Sequence, residues 1–175
     1  MVLNSKVLNF GTFKDDKMRY VNFSEEPTLS PDDFFMNEAL KEAKLALSLD
    51  EVPIGAIIVS NGKIIGRGHN LTERLNDVTA HAEMQAFTAA ANHLGGKYLK
   101  DCTLYVTIEP CVMCAGASYW TQISRIVYGA PDVQRGFRRI SQNILHPKTE
   151  IIGGIKEAEC GTLVKEFFLS KRNKT

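Results

Sequence analysis

The chain's reading turns on two short strings, Thr79-Ala80-His81-Ala82-Glu83 and Glu109-Pro110-Cys111-Val112-Met113-Cys114. Each follows a loop or strand and stands where a helix is predicted to start. Cys111 and Cys114 lie three apart, so both sulfurs project from one helical turn. The positive end of the helix dipole there favours thiolates. With the His81 imidazole the set is three ligands. Structural zinc usually takes four protein ligands and catalytic zinc keeps a position open, so a Cys2His count points to chemistry. Glu83, two residues after His81, reaches the same helix end without being an obvious fourth ligand. It is the candidate proton shuttle between an activated water and an amino-bearing ring. Alone, Cys-x-x-Cys is also a redox motif and His-x-Glu is common; the force lies in their combination, their order and the preceding proline.

Outward from these strings the pattern is mixed α/β. Ser30-Pro31-Asp32-Asp33 supplies a cap, a proline for the first helical position and acidic residues for the first turn. Phe35, Ala39, Leu40, Ala43 and Leu47 then recur on one helical face. Ile54 to Val59 and Lys63 to Gly68, joined by Asn61-Gly62, read as a β-hairpin. A second helix is predicted from Thr79 to Leu94, stopping at Gly95-Gly96. A strand over Thr103 to Ile108 precedes a third helix from Pro110 to about Trp120. Short strands at Arg125 to Tyr128 and Glu150 to Ile152, and a helix from Glu157 to about Lys171, complete the pattern. A hairpin followed by helix-strand alternation implies a mixed sheet with helices on its faces. Ala130 to Lys148 is the one long irregular stretch, a length often tied to function.

Composition sets the frame. The 175 residues, 44% hydrophobic and 23% charged, suit one globular domain, placed at 31–175, preceded by a variable extension at 1–30. A net charge of +1 gives no global attraction to nucleic acid, so such binding would rest on a local patch. No export signal or membrane-length apolar run is evident, and the four cysteines are expected in a reducing cytoplasm. Cys102 and Cys160 lack a partner at ligand spacing and read as small buried side chains, and Trp120 as packing; the last helix, with Lys165, Phe167, Phe168, Lys171 and Arg172, reads either as a nucleic-acid surface or as a solvated face whose two phenylalanines are core, the second being favoured. His69, His93 and His146 read as structural or solvent-facing.

The stretch from about Phe35 to Arg172 resembles the bacterial tRNA-specific adenosine deaminases of the cytidine/deoxycytidylate deaminase superfamily. The strings that carry the resemblance are Glu51-Val52-Pro53-Ile54-Gly55-Ala56, Gly68-His69-Asn70, Asp77 to Glu83, Leu104 to Ala117 and Ala158-Glu159-Cys160. The resemblance implies a three-layer α/β/α sandwich with a mixed five-stranded sheet, one zinc per subunit and a homodimer. It also implies conversion of wobble adenosine to inosine in a tRNA anticodon stem-loop. Carried over by motif, Asn70 would hydrogen-bond the flipped adenine, Pro53 would wall the pocket, Ala82 and Glu83 would meet the base edge, and Asp132 would contact a ribose. Asn70 has a plainer alternative as a turn residue.

The loop continues Val133-Gln134-Arg135-Gly136-Phe137-Arg138-Arg139, where the family pattern is small and glycine-rich. Arg135, Arg138 and Arg139 around Phe137 suit single-stranded RNA, through phosphate contacts and base stacking. A solvated loop with one tucked ring is the alternative. Two rival functions remain: a deaminase of free nucleobases or nucleosides, of guanine or cytosine type, and a non-enzymatic zinc protein in which Glu83→Gln would be silent. An open pocket with a basic rim would favour RNA; a pocket closed over its ligand would favour a small molecule.

Overall fold

The computed structural model describes residues 30–173, so the extension predicted at 1–30 lies outside the described residues but for Ser30. Helix α1 (Pro31–Ser48) starts where the sequence places it, with the Ser30 hydroxyl accepting from the Asp33 amide at 3.1 Å. Its first turn is tied to the sheet by Asp32, which accepts from both terminal nitrogens of Arg125 at 2.8 Å and from the Tyr105 hydroxyl at 2.8 Å. The Arg125 hydrogen bond holds the Asp32 carboxyl below the usual carboxylate range.

Strands β1 (Gly55–Ser60) and β2 (Lys63–His69) form the hairpin, turned by Asn61 and Gly62, both at positive φ. Helix α2 (Ala82–Leu94) packs directly on it. A side chain at Gly68 would put a Cβ 2.2 Å from the Ala82 carbonyl, so glycine there lets the first turn of α2 lie against the strand. Helix α2 ends at Gly95 with φ 64°, the left-handed stop the sequence predicts. There follow β3 (Cys102–Ile108), α3 (Val112–Thr121), β4 (Arg125–Ala130), two short 3-10 turns at Phe137–Arg139 and Gln142–Ile144, β5 (Glu150–Gly153) and α4 (Glu157–Arg172).

The five strands run in the order β2-β1-β3-β4-β5. Strand β1 is antiparallel to β2 and β3, while β3, β4 and β5 are mutually parallel. Side chains alternate across the sheet. Ile58, Leu104, Val106 and Ile126 face a core shared with α2 and α3; Ile57, Val59, Tyr105 and Val127 face one shared with α1 and α4. This is the three-layer α/β/α sandwich with a mixed five-stranded sheet. Among the described residues no helix is long and apolar enough to cross a membrane.

Local differences from the sequence reading cluster at the helix starts. Helix α2 begins at Ala82 and not at Thr79, because the Asp77 carboxylate accepts from the Thr79 amide and hydroxyl at 2.8 and 2.7 Å and closes a separate turn. Likewise Pro110 stays outside α3, whose cap is Cys111. Trp120, read as packing, is 78% exposed at the end of α3. Phe167 is in the core as predicted, whereas Phe168 is 43% exposed.

Candidate metal and catalytic centre

The shortened helix starts build the site. His81 and Cys111 are the N-caps of α2 and α3, both in extended conformation, and neither side chain is spent on a capping bond. Both side chains are thus free at the positive ends of two helices. Cys114, one turn into α3, is buried. The His81 Nδ1 lies 3.6 Å from the Cys111 sulfur and 3.5 Å from the Cys114 sulfur. All three donor atoms fall within 4.8 Å of one another. Zinc–sulfur and zinc–nitrogen bonds in a tetrahedron imply a nitrogen–sulfur edge of about 3.6 Å, so this donor set fits zinc. Two thiolates and an imidazole suit that metal chemically as well.

Protons compete for the same donors. A hydrogen bond with Cys114, reinforced by one with His81, lowers the Cys111 thiol to about 4. The same bond pushes the Cys114 thiol up, and Cys111 raises His81. Metal capture by such a trio displaces these protons and is therefore pH-dependent. Glu83, in the first turn of α2, is 4% exposed. Burial raises its carboxyl to about 7, with the Cys111 charge adding to the effect. An acid poised near neutrality is suited to taking and returning a proton.

His81, Cys111 and Glu83 open onto a cavity of about 1140 Å³, with Cys114 buried behind them. Its walls include Asn70, Ala82, Asp132 and Arg135, and its outer side is formed by α4 through Lys165, Phe168 and Arg172. A second cavity of about 450 Å³, around Phe137, Asn143 and His146, is lined by none of the candidate metal ligands.

Not every predicted contact lies here. Pro53 is buried but does not line the cavity; its neighbours Val52 and Ile54 form that wall. Phe137 is 1% exposed and belongs to the core with Ile126 and Leu145, so its ring is withdrawn from any base. Arg138 turns inward onto Glu109, Nε to Oε1 at 3.3 Å, and Arg139 donates to the Gln134 carbonyl at 2.8 Å. Of the four loop residues only Arg135 lines the cavity, close enough for its charge to act on His81. Asp132 caps its own loop, its Oδ1 accepting from the amides of Gln134 and Arg135, each at 2.9 Å.

Two buried carboxylates that hold the walls escaped the sequence reading. Glu51, 1% exposed, accepts from Asn70 Nδ2 at 3.0 Å, Thr72 Oγ1 at 3.3 Å, Glu73 N at 3.3 Å and Arg74 N at 2.8 Å. Because a carboxylate only accepts, Glu51 fixes which way round the Asn70 amide stands. The Asn70 nitrogen also donates to Thr72 at 3.0 Å, which leaves its carbonyl oxygen as the group it brings to the cavity. Glu109, 5% exposed, accepts from the amides of Asp132 and Arg138. An acid wedged between the apolar end of β3 and Pro110 was the available signal for Glu109; Glu51 follows a helix end, where exposed acids are ordinary.

Residues 29–130 match the cytidine and deoxycytidylate deaminase zinc-binding region. The chain belongs to this family. Over 151 residues the deaminase is 42% identical to the tRNA-specific adenosine deaminase of Bacillus subtilis (strain 168), covering 83% of this chain and 94% of that one. Among solved structures, one from a study of A-to-I editing by tRNA:A34 deaminases at the wobble position superposes with a TM-score of 0.70. It is 43% identical, covering 74% of this chain and 98% of the other. A guanine deaminase structure from Bacillus subtilis is 40% identical but covers 57% of this chain and 64% of its own, with a TM-score of 0.54. The deaminase is thus a zinc-binding enzyme of this fold, with His81, Cys111 and Cys114 positioned for the metal.

Proposed function

We propose that this deaminase hydrolyses wobble adenosine to inosine in a tRNA anticodon stem-loop. The observation that carries the reading is the cavity beside the metal trio and what lines it. The cavity, of about 1140 Å³, has the cations Arg135, Lys165, Lys171 and Arg172 and the ring of Phe168 in its wall. Small-molecule sites usually close over ligands within about 300–1,000 Å³, whereas a flipped nucleotide needs room for its flanking backbone and cations to meet it. The near full-length likeness to a tRNA-specific relative supports the same substrate, while the guanine deaminase matches over a smaller share.

The chemistry follows from the donors. Zinc, when bound by His81, Cys111 and Cys114, supplies a water of near-neutral pKa as nucleophile. Glu83 takes the proton from that water as its oxygen bonds to C6 of adenine, and passes it to N1. Glu83 then takes the remaining proton of the C6 hydroxyl and gives it to the exocyclic nitrogen, so that the C6–N bond breaks, C6–O becomes the carbonyl, and adenosine and water become inosine and ammonia. Asn70, held by Glu51, offers an acceptor to the base, Ala82 packs on its edge, and Asp132 stands where a ribose hydroxyl would be met. Phe168 offers a face for a neighbouring base and Arg135 a charge for a phosphate.

The same reading takes residues 31–175 as the deaminase domain and 1–30 as an extension. It takes the enzyme as a cytoplasmic homodimer. Cys102 and Cys160, outside the metal trio, carry no disulfide, which suits a reducing compartment, and the exposed Tyr119–Trp120 pair at the end of α3 supports a subunit contact.

Zinc-loaded protein, offered an anticodon stem-loop with wobble adenosine beside free adenosine, adenine, guanine and cytosine, tests the assignment by ammonia release. Turnover of the stem-loop, lost in Glu83→Gln, is expected. Turnover of a free base with an inert stem-loop would assign the enzyme to the free-base class instead.

A further inference from the structure

The loop after β4 is where this chain departs from a small, glycine-rich pattern, and the structure gives the departing residues a use. Glu109 is a carboxylate buried beside the metal-ligand segment. Two backbone amides meet it, Asp132 N at 3.3 Å and Arg138 N at 3.1 Å, and the Arg138 guanidinium adds Nε at 3.3 Å and Nη2 at 3.5 Å. The guanidinium also lies over the Tyr128 ring, 5.1 Å from its centroid. A buried carboxylate without a countercharge is costly, so this pairing keeps the loop folded down. The loop is further stitched to the ligand segment through the Phe137 amide, which donates to the Pro110 carbonyl at 3.0 Å, and through the bridge between Cys111 and Gly136. Gly136 admits no side chain, since a Cβ would lie 2.5 Å from the Glu109 carboxyl carbon and from the Asp132 carbonyl. Phe137 then anchors the loop in the core.

We infer that Arg138 is a positioning residue: by clasping Glu109 it holds the 132–136 segment rigid, so that Arg135 stands pre-set at the cavity rim to receive a phosphate of the RNA backbone. The inference rests on the tRNA reading. It assigns Arg138 no contact with RNA. Holding a loop in its bound conformation lowers the ordering cost of binding, so its loss weakens capture of the extended substrate and leaves the chemical step alone.

The test is a double-mutant cycle with Arg138→Ala and Arg135→Ala in the zinc-loaded full chain, reading KM and kcat on the stem-loop together with zinc content and Tm. Expected for Arg138→Ala is a KM rise of about tenfold with kcat within about twofold. In the Arg135→Ala background the same substitution should raise KM by clearly less than it does in wild type, because Arg138 acts mainly through Arg135 and only the part carried by Asp132 remains. Arg138→Lys should restore part of the KM, keeping the charge but losing the fork. Additive KM effects, or a fall in kcat with zinc lost, would overturn the inference. A wild-type enzyme inert on the stem-loop would instead overturn the substrate reading on which it rests.

Discussion

The inner end of the cavity and its rim are built on opposite plans. At the inner end, His81, Cys111 and Glu83 sit at the starts of α2 and α3, so helix geometry and a few residues of spacing place them. At the rim, Asp132 and Arg135 hang on a loop held by Glu109, and Asn70 on one held by Glu51. The two wall carboxylates differ in turn. Glu51 is 1% exposed and satisfied by two amides, a hydroxyl and a carboxamide, with no cation among these partners. Glu109 has the partly exposed Arg138. The inner end is therefore placed by local geometry, while each wall depends on one buried acid, and of these two acids it is Glu109 that is met by a cationic side chain.

The largest effect should come from the inner end. Glu83→Gln should lower turnover about 10²–10⁴-fold with zinc content unchanged, measured by inosine formation. The sign of its effect on stability is opposite. A carboxyl raised to about 7 by burial favours the fold while protonated, and that contribution is lost as pH rises through about 7. The metal-free Glu83→Gln protein should accordingly melt higher than wild type above that pH, which thermal scans across pH would check. In the zinc-loaded enzyme kcat/KM should fall on acidification as Glu83 takes up a proton, and a flat profile would remove Glu83 as the base.

Next in size is the rim's anchor. Phe137→Ala should cost about 3–5 kcal/mol of stability, read by denaturant unfolding, because the ring fills core space and not a binding surface. A loss of RNA affinity with unchanged stability would restore the stacking role. Smallest is Arg139→Ala, whose guanidinium serves an exposed backbone carbonyl. Its effect on stability should stay within about 0.5 kcal/mol, and on the stem-loop KM within about twofold.

This contrast also explains what the sequence disclosed. Ser30-Pro31, Asn61-Gly62 and Gly95 mark their helix and hairpin ends because the conformations they favour are local. The metal trio was readable for the same reason, as each string spans the start of one helix. Phe137 was not: whether an aromatic between two arginines stacks on RNA or fills a core depends on Leu145 and the sheet, which its neighbours do not encode. Glu51 and Glu109 gather donors from loops distant in sequence, so their burial shows only in three dimensions. The start of α2 was misplaced because Asp77 competes for the Thr79 amide, a choice between two local bonds that composition does not settle.

Whether the enzyme edits wobble adenosine is decided by incubating the zinc-loaded protein with a wobble-adenosine anticodon stem-loop and measuring the RNA's mass and nucleoside content, with Glu83→Gln in parallel. Inosine at the wobble position with wild type and none with the mutant is the predicted result. Unchanged adenosine with wild-type enzyme of full zinc content, or equal conversion by the mutant, would contradict the account.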